Sequence, residues 1–205
     1  MNNNYYKKYI KYKNKYQNLK QKSEDILKKN TILFDSNVYN FNKLFKNKSK
    51  ICIVQYDNRK ITGNIKYLQS LNEKYCKKYN HDYYFYNEKS SVYPPYWMKV
   101  YLIYLLLPKY DYVMWLDTDA TLINIVNLND FIKEHIDSKD MLISYDMPTF
   151  NPEKVSLFNQ PVDLFNAGVF VMKNSVIGNN IMKDWLTKFQ KDSWKIKNDK
   201  WKCIN

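Results

Sequence analysis

Tyr112-Val113-Met114-Trp115-Leu116-Asp117-Thr118-Asp119 is the stretch on which the fold turns. Five consecutive apolar or aromatic residues lead into an acid, a threonine and a second acid. A strand that is apolar at every position is covered on both faces, as a central strand of a parallel sheet is. In extended chain, residues i and i+2 point to the same side, so Asp117 and Asp119 can converge on one cation. Ligands of α/β sheets sit outside the carboxyl ends of the strands, which is where this pair stands. By number alone the pattern is ordinary, since 15 aspartates in 205 residues generate about one Asp-x-Asp by chance. Its position is less ordinary, because two charges beside a dry core are costly unless a cation or hydrogen bonds compensate them. Two readings stand at this point: a cation site, or a pair of solvated turn aspartates.

Working outward, the neighbouring segments alternate between strand and helix patterns. Residues 51–56 read as a first strand, and 61–79 carry Ile65, Leu68, Leu71, Tyr75 and Tyr79 at helical spacing. Tyr83–Tyr86 reads as a second strand. Pro94 and Pro95 introduce a helix over 96–107, which Pro108 closes. Beyond the acidic pair come a short helix at 128–136, a strand at 141–145, a long loop, a strand at 167–172 and a helix at 176–190. The alternation predicts an α/β sandwich with a mainly parallel sheet flanked by helices.

Two further groups of residues could carry chemistry. Lys99 lies in a helix that is otherwise strongly apolar, and such a lysine either snorkels outward or meets an anion. Asp163-Leu164-Phe165-Asn166-Ala167-Gly168 places an acid, an amide and a glycine just before an apolar strand. Gly168 reads as a point of close backbone approach to a ligand, or as a bulge or tight turn.

Composition narrows the chemistry. The only glycines are Gly63, Gly168 and Gly178, so a Walker-type phosphate loop, a dinucleotide fingerprint and a nucleophile elbow are all excluded. Any nucleotide phosphates must be held by other means. His81 and His135 with Cys52, Cys76 and Cys203 allow no zinc-finger or H-E-x-x-H spacing. Widely spaced, odd-numbered cysteines read as reduced thiols of a cytosol-like compartment. A bound metal would therefore take mainly carboxylates, which favours Mg2+ or Mn2+. No transmembrane segment and no signal peptide is legible, so a soluble, unsecreted, cytoplasmic protein is expected.

Charge divides the chain. Of the net +13, residues 1–50 carry +10 and residues 51–205 only +3. A boundary is expected near 48–50, with a basic extension (1–50) before the domain (51–205). Tyr5, Tyr9, Tyr12, Tyr16 and Leu19 recur at helical spacing among lysines, which predicts one helix over about residues 3–29. Its aromatic stripe either packs on the body or a partner chain, or residues 1–29 contact a polyanion or a membrane surface.

The stretch from Tyr96 to Asn124, with Lys99 in its helix and the acidic pair leading into Thr121-Leu122, resembles metal-dependent nucleotide-sugar glycosyltransferases of the GT-A fold. Asp163 to Ser175 resembles the second signature of glycogenin-like and galactosyl- or mannosyltransferase-like members, and the likeness covers roughly residues 51–190. It implies a hexosyltransferase that uses a nucleotide diphosphate sugar donor with Mn2+ or Mg2+ and an acceptor of unspecified kind. On that resemblance Asp117 contacts the ribose or the cation, and Asp119 ligates the cation. Gln55, Tyr56 and Asp57 line the nucleotide pocket, Lys99 approaches the diphosphate or nucleotide, and Asp163 and Asn166 hydrogen-bond the donor sugar. Families of this kind add a further metal ligand, often histidine, and an acidic segment downstream. Here both histidines come earlier, and only Asp184, Asp192 and Asp199 follow the second signature. A divergent or C-terminally truncated domain is the corresponding expectation. The alternative reading is a glycosyltransferase-like binding or assembly protein acting through its basic N-terminal helix, and a third is nucleic-acid binding through residues 1–50. The extension also resembles the lysine- and tyrosine-rich leaders of large-DNA-virus proteins, which would imply host cytoplasm or virion.

Overall fold

Ile51–Tyr56 (β1) is buried at all six positions, and Tyr112–Leu116 (β3) at four of its five. Strands so thoroughly apolar demand cover on both faces, and the chain supplies it with helices. Gly63–Tyr79 (α1) follows β1, Asp82–Tyr86 (β2) follows α1, and Pro95–Leu106 (α2) precedes β3. Leu128–His135 (α3), Met141–Tyr145 (β4), Phe165–Lys173 (β5) and Val176–Thr187 (α4) complete the expected series. The computed structural model describes residues 50–123, 126–136, 138–145 and 165–204, together with Lys13, Asn14 and Gln17. The expected helix over 3–29 lies outside the described residues apart from those three, which are helical. The chain separates into units Met1–Lys46 and Asn47–Asn205, and the second carries everything that follows.

The five strands order β2-β1-β3-β5-β4. β1 pairs in parallel with both β2 and β3, whereas β5 runs antiparallel to β3 and to β4. Four strands therefore share one direction, and the sheet is mainly parallel as the sequence predicts, with β5 the exception. Ile51, Ile53, Met114, Leu116 and Val171 point to one face and pack with Tyr75 and Cys76 of α1 and Leu128 and Ile132 of α3. The opposite face is covered by α2, which packs on β1 and β3, and by α4, whose Trp185 ring lies 5.8 Å from that of Phe170. Helix ends follow local chemistry. α2 stops where Pro108 enters a 3-10 turn, Leu107–Lys109. The side chains of Asn127 and Ser175 cap α3 and α4 by accepting from the backbone N–H groups of Asn129 and Gly178.

One element was not anticipated. Trp194–Lys197 (β6) and Lys200–Cys203 (β7) form an antiparallel hairpin. Asn198 and Asp199 make its two-residue turn with φ of 52° and 58°, a left-handed conformation that Asn and Asp tolerate. Pairing sets Trp194, Ile196, Trp201 and Cys203 on one side and four lysines on the other. Alternation around Asn-Asp was the available signal, obscured by six lysines between 188 and 202. Among the described residues no helix is long and apolar enough to cross a membrane.

Candidate functional site

Parallel pairing brings the carboxyl ends of β1 and β3 to one edge of the sheet, and the reversed β5 brings its amino end there too. A cleft of about 680 Å3 opens at this edge, lined in part by Tyr56, Asp57, Lys99, Asp117 and Asp119. The acidic pair is thus neither scattered nor turned into separate surfaces.

Asp117 is held on three sides. Its backbone N–H donates to the Gly168 carbonyl at 2.8 Å. Its Oδ1 accepts from the Trp115 indole at 2.6 Å and from Lys99 Nζ at 3.2 Å. Lys99 Nζ also donates to the Ala167 carbonyl at 2.9 Å and lies 5.3 Å from the Trp115 ring centroid. The lysine side chain is only 15% exposed, so it does not snorkel but meets an anion. Asp117 Oδ2 and the carboxylate of Asp119 are left without hydrogen bonds or ion pairs among the described residues.

Behind the acidic loop lies a buried polar cluster. Gln55, expected to line the nucleotide pocket, does not line the cleft, because it shares the inner face of β1 with Ile51 and Ile53. It is 1% exposed, and its amide donates to the Asp117 carbonyl at 2.9 Å. Asn72 on α1 donates to Gln55 and to the Ala120 carbonyl, and accepts from Thr121 Oγ1 and the Leu122 N–H. Tyr83 donates its hydroxyl hydrogen to Gln55 as well. Buried amides bonded this fully specify one loop conformation. Asn72 escaped the sequence reading because an asparagine in an amphipathic helix carries no mark of burial.

Asp57 is buried, and its carboxylate accepts from Arg59 Nε and Nη2 and, at 3.1 Å, from Thr118 Oγ1. These bonds, Arg59's foremost, hold the Asp57 carboxyl below the usual range against the opposing effect of burial. They also join the β1 loop to the residue between the two acids. Burial pushes the Tyr56 hydroxyl up to about 12, so it is a neutral donor at physiological pH, and it bonds the Glu88 carbonyl.

Asn166 is exposed and does not line the cleft. Its Oδ1 accepts from the Gly168 N–H at 2.8 Å, which brings the amide against the same glycine that receives Asp117. Gly168 sits in a bulge, where β4–β5 pairing jumps from Ile143↔Phe170 to Ser144↔Asn166. Asp163 lies outside the described residues. The hairpin closes one side of the cleft with Trp194, Asn198 and Trp201, anchored by the Trp201 indole donating to the Ser90 carbonyl at 2.9 Å.

The donor set suits a hard cation. Among the described residues no three His, Cys, Asp or Glu side chains gather as a protein-only metal cage would require. Mg2+ and similar ions, however, are commonly held by one or two carboxylates with water and substrate phosphates completing the shell. Asp117 Oδ2 and Asp119 fit that arrangement.

A mixed, mainly parallel sheet with helices on both faces and an acidic pair at its carboxyl edge defines an α/β protein. The chain resembles the crystal structure of a glycosyltransferase involved in the glycosylation of the major capsid of PBCV-1. The match has a TM-score of 0.52 and 17% identity, and covers 70% of this chain and 69% of that one. A structure of A197 from STIV aligns over 71% of each chain at 12% identity with a TM-score of 0.34, a value at which two folds are not called alike. No family model and no curated protein matches the sequence.

Proposed function

We propose that this chain is a metal-dependent glycosyltransferase that moves a hexosyl unit from a nucleotide diphosphate sugar to an acceptor. The supporting observation is that Asp117, Asp119 and Lys99 line one cleft at the carboxyl edge of the sheet, with Lys99 paired to Asp117. Asp117 and Asp119 would hold Mn2+ or Mg2+. Such an ion, when bound, supplies Lewis-acid stabilisation of the charge that grows on a departing nucleoside diphosphate.

The chain's own residues do the positioning. Lys99 fixes Asp117 by its Oδ1 and leaves Oδ2 for the cleft, while adding a positive charge beside the leaving group. Gln55 and Asn72 hold the carbonyls of Asp117 and Ala120, so the acidic loop is set before a donor arrives. Tyr56 and Asp57 face the nucleotide and Asp163 is assigned to the donor sugar, while Asn166, outside the cleft lining, supports Gly168 behind Asp117. The rings of Tyr96, Trp194 and Trp201 offer flat apolar surface for a base or a sugar face.

Calorimetric titration with Mn2+ and a panel of nucleotide sugars tests the proposal. Binding should require the ion and should disappear in Asp119→Ala. Metal-independent binding, or none to any nucleotide sugar, would overturn it.

A further inference from the structure

The chain has 33 basic residues, of which 32 are lysine and one, Arg59, is arginine. That single guanidinium lies in the cleft. Lysine serves wherever a solvated point charge is enough, whereas arginine offers a planar fork of donors that matches phosphate and carboxylate oxygens and never deprotonates.

The fork is already half used, and in a particular way. Arg59 Nε donates to Asp57 Oδ1 at 2.9 Å, and Nη2 to Oδ2 at 2.6 Å. The backbone N–H of Arg59 bonds Oδ1 as well, at 2.9 Å, and Asn87 donates to the carbonyls of Asp57 and Arg59. One edge of the guanidinium is thereby locked to a buried carboxylate. The other edge, Nη1, has no hydrogen-bond partner among the described residues, and the side chain is 74% exposed. Asp119 is near enough for its charge to act on Arg59, after the stronger effect of Asp57. Lys99, bonded to Asp117, and Arg59, which lines the same cleft as Asp119, are thus two cations in the cleft of the acidic pair.

We infer that Arg59 grips the donor's diphosphate through its free Nη1 edge, with Asp57 holding the guanidinium in place. This rests on the reading of the cleft as a donor site and adds to it a residue that the first-strand and second-signature motifs do not include. The same Arg59–Asp57–Thr118 chain of hydrogen bonds ties the phosphate grip to the loop that carries Asp117 and Asp119.

A merely structural Arg59 would do no more than neutralise buried Asp57, and lysine could do that. Binding of UDP, GDP, ADP and CDP, each with Mn2+, and of the corresponding nucleosides should therefore be measured for wild type, Arg59→Lys, Arg59→Ala and Asp119→Asn. The double variant Asp57→Asn/Arg59→Ala, which leaves no buried charge to compensate, guards against misfolding. Nucleoside diphosphate affinity should fall about 10–100-fold in all three Arg59 variants. Nucleoside affinity should not change in the single variants Arg59→Lys and Arg59→Ala, and Arg59→Lys should melt near the wild-type temperature. Wild-type diphosphate affinity in Arg59→Lys, or an equal loss for nucleosides, would overturn the assignment. If Asp119→Asn abolishes binding while the Arg59 variants retain it, Arg59 alone is wrongly placed. If wild type binds none of the diphosphates, the donor-site reading falls and the grip falls with it.

Discussion

Gly168 has little room for a side chain. A Cβ there would lie 2.8 Å from Asn166 Oδ1 and 3.1 Å from Asp117 Oδ2. Asn166 is exposed and can swing away, whereas Asp117 is fixed through its other oxygen by Lys99 and Trp115. The added methyl therefore bears on the oxygen that is available to a cation. Gly168→Ala is expected to weaken Mn2+ affinity about tenfold, the scale on which groups supporting a metal ligand act, with little change in melting temperature. Manganese titration beside a thermal melt separates the two effects, and an unchanged affinity would count against Asp117 as a ligand. At this scale the sequence was informative about type but not about direction. Aspartates after an apolar strand and a lysine in an apolar helix were both legible, while the bond between them required the fold.

Among the elements, β5 and the β6–β7 hairpin determine what the cleft contains. An apolar run such as Val169–Met172 shows that a strand is buried but not which way it runs, because parallel and antiparallel ladders accept the same residues. Running β5 against β3 puts its amino end beside Asp117, and so brings Asn166 and Gly168 to the edge where β1 and β3 finish. A parallel β5 would have left them at the opposite edge. The hairpin is held to the body through Trp201, whose indole bonds the Ser90 carbonyl. Replacing Trp201 by Phe keeps the ring but removes that donor. A loss of about 1 kcal/mol is expected, concentrated as faster amide exchange over residues 194–203, with the sheet's protection retained. Uniformly raised exchange would show instead that the hairpin is part of the main cooperative unit.

For the molecule as a whole, acid stability should depend on Asp57. Its folded carboxyl is held below the usual value, chiefly by Arg59. The unfolded chain therefore binds the proton first as the pH falls. The stabilisation is fully present above the ordinary aspartate value of about 3.9 and is lost as the pH drops below it towards the lowered folded value. Asp57→Asn should consequently be less stable than wild type at pH 7, with the gap narrowing between about pH 4 and pH 2. Urea midpoints at pH 7, 4 and 3 measure this, and a gap that stays constant would show that Asp57 titrates normally.

The sequence by itself determined the layered architecture, because unbroken apolar strands alternating with amphipathic helices have few other ways to bury both faces. It also determined that an acidic pair ends the middle strand, since position along a strand is a matter of counting. Which of two adjacent residues faces the cleft was decided only by the tertiary structure. Gln55 and Tyr56 point to opposite faces of β1, and the cleft opens on the side of α2, leaving Gln55 inside. Arg59 and Asn72 likewise acquire meaning from partners that lie far apart in sequence or across a loop. Local pattern encodes burial and periodicity, whereas the direction of a strand and the partner of a polar group depend on which segments meet, and that is settled only when the chain closes on itself.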